Sequence, residues 1–173
     1  MRKYIYIVTI LVISFSCSQQ QENNKQSIQE SIDEMETKLY NGEDAQVNMG
    51  DAVGLINLYK KFSKEYPKDS LAPIFLFRAS DLSMNLKRPV QTIALFNDLL
   101  NNYPEYEKVP SVLFLKAFVY EDQLKDLDKA KMYYEEFLEK YPDSDFADDA
   151  EISLKYLGKT PEELILEFEN NQE

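Results

Sequence analysis

With 173 residues, 31 acidic against 19 basic side chains and a formal net charge of −12, the chain has room for one domain and would repel a phosphate backbone, so no nucleic-acid partner is expected. Four glycines are too few for a turn-rich β-sandwich or a nucleotide-binding α/β fold, which leaves an all-α fold as the expectation. The absence of histidine and the single cysteine remove the commonest general base, the commonest metal ligand and any internal disulfide, so neither an enzyme nor a cofactor or metal site is expected.

The chain opens with Arg2 and Lys3, followed by an almost wholly apolar run over residues 4–15 that ends at Ser16, Cys17 and Ser18. A basic start, an apolar run and small residues make a secretory signal, and about twelve apolar residues fall short of the roughly twenty that span a bilayer. A cysteine at the end of that run resembles the lipobox of bacterial lipoproteins, although Phe15 and Ser14 stand where the lipobox carries a small residue and leucine. The resemblance implies a signal over residues 1–16, cleavage before Cys17, and covalent lipid on Cys17 that anchors the protein in a membrane. Ser18 rather than Asp after the cysteine implies the outer membrane, with the domain facing the periplasm in preference to the outside. Residues 17–26 then hold the lipidated cysteine and a polar stretch with nothing to bury, expected as a flexible tether.

From residue 27 to 173 the pattern is helical throughout. Ser27 with Glu30 reads as a capping box ahead of the stripe Ile28, Ile32, Met35 and Leu39, ending before Asn41 and Gly42. Three further stripes share one spacing: Leu55, Tyr59, Phe62, Tyr66; Thr92, Phe96, Leu99, Tyr103; and Ala130, Tyr134, Phe137, Tyr141. That spacing is the buried face of a helix, and each stripe stops at a Tyr-Pro pair because proline pushes the preceding residue out of the helical region. The pairs recur at steps of 37 and 38 residues, the mark of a helical array. Pro73 and Pro110 open intervening helices over residues 73–86 and 110–124, with short turns at 87–89 and 125–128. Residues 145–157 form another helix that stops at Gly158, and Thr160, Pro161 and Glu163 open a last one.

These residues resemble the tetratricopeptide repeat. Ala117 and Tyr120 fill the small and aromatic roles of its first helix, Ala130 and Tyr134 the alanine and aromatic of its second, and Pro142 the closing proline, given one extra residue in the turn. In the preceding copy Ser80, Phe96 and Pro104 match, whereas Ser83 and Thr92 depart from the aromatic and alanine. The stretch from Tyr141 to Ala150 is also similar to the longer-spaced repeats of outer-membrane assembly lipoproteins. Over residues 48–157 the resemblance implies a short right-handed solenoid of helical hairpins, about three helix pairs plus a C-terminal pair or cap.

Such solenoids bind other proteins in a groove lined by the first helix of each pair. The resemblance places Phe77, Asp81, Asn85, Phe114, Phe118, Glu121 and Asp122 in that groove. Rings and acids there would suit an extended or helical segment carrying apolar and basic residues, so the expected function is a non-catalytic scaffold or adaptor in envelope protein assembly. The competing structural role for Phe114 and Phe118 is packing, since residues 112–119 are apolar nearly all round. A second function reading is glycan or cell-wall binding through exposed aromatic rings. The acids at Asp143, Asp145, Asp148 and Asp149 lack the glycine and glutamate of a calcium loop and are read as helix caps.

Overall fold

The computed structural model describes the backbone of residues 2–40, 48–160, 162–163 and 165–166, with side chains from residue 19 onward. The described residues form helices and connecting turns without strands: α1 (Arg2–Tyr40), α2 (Met49–Glu65), α3 (Leu71–Asn85), α4 (Pro89–Asn102), α5 (Val109–Phe118), α6 (Leu127–Lys140) and α7 (Ala147–Tyr156). The expected all-α architecture of consecutive helix pairs is the one observed. Two compact units divide within α3, Met1–Phe75 and Leu76–Glu173, where the sequence reads as one repeat domain.

The apolar stripes form the core as the spacing requires. Leu55, Tyr59 and Phe62 are buried in α2, Thr92, Phe96 and Leu99 in α4, and Ala130, Tyr134 and Phe137 in α6. Each of these helices stops at its tyrosine. Tyr66, Tyr103 and Tyr141 all leave the helical region with φ of −126°, −136° and −135°, and their amides donate to Phe62, Leu99 and Phe137. The tyrosine carbonyl then accepts from the amide three residues on, Asp69, Tyr106 or Ser144, whose own carbonyl accepts from Ala72, Val109 or Ala147 at the next helix start. One reversal is built three times from one dipeptide.

In the first unit α1 packs on α2, with Ile28 and Ile32 buried. Phe75 at the head of α3 stacks on Tyr59 and meets Phe62 edge-on. The expected helix start at Ser27 is not there: α1 runs unbroken through it, the Ser27 carbonyl accepts from Ser31, and Glu30 accepts from Gln26. Residues 18–26, expected as a flexible tether, are helical as well. Asn24 donates to Glu65 and to the Tyr66 hydroxyl, and Lys25 pairs with Asp69 at 2.9 Å. Polar residues with no apolar surface to bury are ordered here through partners at the first Tyr-Pro turn. The expected stop at Asn41 and Gly42, Pro161 and the side chain of Cys17 lie outside the described residues.

In the second unit α4 packs on α5, α5 on α6 and α6 on α7. Ser83 and Thr92, the two departures from the repeat pattern, pair with each other: the Thr92 hydroxyl donates to Ser83 at 3.0 Å in the buried α3–α4 hairpin. A hydrogen bond takes the place of an aromatic ring against alanine. The helix expected over residues 110–124 instead ends at Phe118 and continues as a π-helical turn, Val119–Gln123. The extra residue that lengthens this copy sits in that turn. Ser83 O accepts from Arg88 five residues on, while Tyr120 O accepts from Asp126 six residues on. Lys87 and Lys125 end the two helices in the left-handed region at φ 53° and 55°. Gly158 does so after α7 at φ 77°, where an added Cβ would lie 2.9 Å from Leu127.

Candidate functional site

The groove candidates all lie in the second unit, and the structure separates them into a surface group and a packing group. Phe77, Asp81 and Asn85 follow one another at four-residue spacing on one face of α3. Asp81 and Asn85 are exposed, with the Asn85 amide 3.4 Å from the Asp81 carboxylate, and Phe77 is half-buried against Tyr106, their ring centres 6.4 Å apart. Desolvation by surrounding chain raises the Asp81 carboxyl above its ordinary pKa although water still reaches it. A group both accessible and crowded marks a concave surface.

On α5, Phe118 keeps 38 % of its surface exposed, whereas Phe114 belongs to the core. Its ring stacks on Phe146 at 4.9 Å and meets Tyr134 and Phe137, packing against buried Leu113, Ala117 and Ala150. Phe114 is therefore a core residue and not a groove anchor. Glu121 and Asp122 are also occupied. The Tyr134 hydroxyl donates to Glu121 at 2.8 Å, and Asp122 pairs with Lys87 at 3.1 Å and, more loosely, with Lys125. The reason is the π-helical turn: an inserted residue rotates everything beyond Phe118 by about one helical step of 100° relative to a continuous α-helix, so the register that puts Glu121 and Asp122 in the groove fails there. Burial first, and the Glu121 carboxylate with it, drive the Tyr134 phenol far above its ordinary pKa despite an opposing bond from Ser153. The hydroxyl stays protonated and donating.

Residues 111–144, from the head of α5 through the π-helical turn and α6 to the third Tyr-Pro turn, match the tetratricopeptide-repeat family model. The chain carries a tetratricopeptide repeat. Within it Ala117, Ala130 and Tyr134 are fully buried where α5 and α6 cross. Tyr120 stacks on Tyr133 at 5.3 Å instead of entering the core, because it follows the inserted residue's turn. A comparison with curated proteins finds no match.

Sequence reasoning does not anticipate the aromatic and cationic ladder on this repeat. Lys116, 6 % exposed, places its ammonium 3.9 Å from the centre of the Tyr133 ring, and Lys129 lies over Tyr120. The signal was present in Lys116 itself, a lysine inside an apolar run. Two surface clefts of the described residues also lie at Tyr-Pro turns. One is lined by Gln21, Lys25, Tyr66 and Asp69, the other by Lys108, Lys140, Tyr141 and Phe146. Among the described residues no group of three or more His, Cys, Asp or Glu is placed to hold a metal ion, and no helix is long and apolar enough to cross a membrane.

Proposed function

We propose that this protein is a non-catalytic adaptor that binds envelope proteins and is held at the bacterial outer membrane by lipid on Cys17. The observation that carries the binding role is the tetratricopeptide repeat at residues 111–144 in an array of helix pairs, since repeats of this family present surfaces to protein partners. Support for the anchor is independent of the fold: a basic start, an apolar run over residues 4–15 and the chain's sole cysteine at its end. The periplasmic side and a role in envelope protein assembly follow from the same resemblance.

The partner surface is Asp81, Asn85 and Phe118, with Phe77 behind them. An exposed ring and an acid suit an apolar anchor next to Lys or Arg on an extended or helical segment. Packing of Phe114, and the stacking of Tyr120 on Tyr133, leave few free ring faces, which weakens the glycan-binding alternative. Crosslinking of cells that express the protein with an affinity handle after Glu173, followed by purification in detergent and mass spectrometry, tests the proposal. A small set of envelope proteins enriched with the wild type and depleted with Cys17→Ala supports it. A partner set indifferent to Cys17, with palmitate incorporation equal in both forms, contradicts the anchor.

A further inference from the structure

The first Tyr-Pro turn differs from the other two in charge while sharing their backbone. Six and five residues before each tyrosine, two before it and two after it, the chain reads Lys60, Lys61, Lys64 and Lys68 in the first copy. The same positions are Asn97, Asp98, Asn101 and Glu105 in the second, and Glu135, Glu136, Glu139 and Asp143 in the third. The fold asks the same of these positions in all three copies, so packing does not select the charge. Nor does the helix dipole, which favours cations at every helix end, yet α4 ends with none and α6 with Lys140 alone. All four lysines are exposed, and among the described residues none is in an ion pair. Four uncompensated cations within nine residues are conspicuous in a chain of net charge −12.

Their place in the first unit says what they face. Residues 21–25 of α1 are fastened to the same turn: the Tyr66 hydroxyl donates to the Gln21 carbonyl at 3.2 Å, Asn24 to Glu65 at 2.9 Å, and Lys25 pairs with Asp69. From Gln21 the helix runs back to Cys17 in four residues, about 6 Å at 1.5 Å each, and directly into the apolar run. We propose that Lys60, Lys61, Lys64 and Lys68 form a surface that lies on anionic phospholipid headgroups, set against them by the docked N-terminal helix. This rests on the reading that the N-terminal segment is membrane-bound. It replaces a loose tether by a fixed short stalk, and it gives a lipid-anchored domain the second, electrostatic contact with its own membrane that a basic patch beside an anchor provides.

The test uses the full chain as processed and purified in detergent, reconstituted into phosphatidylcholine vesicles with or without phosphatidylglycerol. A fluorophore on Ser70→Cys, in the same turn, reports proximity to headgroup-nitroxide lipids, and intact mass reports whether Cys17 carries lipid and is thus closed to labelling. The expected result is at least twofold stronger quenching with phosphatidylglycerol, abolished by high salt and by the combined charge reversal of the four lysines to Glu, and reduced by their change to Gln. Circular dichroism checks that helicity is kept. Equal quenching in both vesicles by a lipidated protein overturns the lysine surface and leaves the anchor standing. Salt-sensitive quenching by a protein with bare Cys17 supports the surface and overturns the anchor. Indifference to lipid together with lysine-dependent capture of an acidic protein would assign the patch to that protein and overturn the proposal.

Discussion

Single side chains in the tetratricopeptide repeat divide into those that hold the hairpin and those left to act. Phe114 and Phe118 are one helical turn apart, yet Phe114 is wedged between Phe146, Tyr134 and Phe137 while Phe118 keeps 38 % of its surface in water. Phe114→Ala should cost about 3 kcal/mol by the transfer and cavity terms of a packed ring. Phe118→Ala should stay within about 0.5 kcal/mol, as exposed positions do. Urea denaturation of the two variants measures the contrast, and equal costs would contradict the division. Asp69 makes a second residue-level prediction. Burial alone would raise its carboxyl, but the Leu71 amide and the Lys25 ammonium outweigh that and hold it below the usual carboxylate range. A lowered native value means that the stabilisation is complete above the ordinary carboxylate pKa of about 3.9 and is lost as pH falls below it. The stability gap between wild type and Asp69→Asn should therefore close on acidification below about pH 4, which denaturant titrations across pH will show.

At the level of the element, the Tyr-Pro reversals and the stripes ahead of them were fully legible, because proline geometry and helical spacing are local properties. Tyr66, Tyr103 and Tyr141 end their helices with nearly the same dihedral angles, as one dipeptide in one context should. The π-helical turn was legible only as a one-residue surplus between Pro110 and Lys125 relative to Pro73 and Lys87; where a helix stores an extra residue depends on the packing around it. That displacement is also why two of the groove acids, Glu121 and Asp122, were misplaced by sequence while Asp81 and Asn85, on a regular helix, kept their face. The helical course of residues 18–26 was invisible for a different reason: its partners, Glu65, Tyr66 and Asp69, lie some forty residues away. Lys125 ends its helix in the left-handed region, which costs a residue with a Cβ about 1 kcal/mol. Its ion pair with Asp122 at 3.9 Å between exposed groups offsets little of this. Lys125→Gly should accordingly raise stability by about 0.5 to 1 kcal/mol, read as a higher urea midpoint with an unchanged slope; a lower midpoint would show that the lysine side chain holds the turn.

For the molecule as a whole, charge and repetition point to two faces with separate tasks. Lysines gather in the unit Met1–Phe75 beside the N-terminal helix, whereas the unit Leu76–Glu173 carries the tetratricopeptide repeat and the exposed set Asp81, Asn85 and Phe118. The central claim is that this second set engages a protein partner. The most direct measurement is quantitative crosslinked capture from cells by the full chain, comparing wild type with the double variant Asp81→Lys and Phe118→Ala after both are shown to melt at the same temperature. Loss of at least fivefold of the enriched envelope proteins is the result this account predicts. Undiminished capture by the double variant would contradict it.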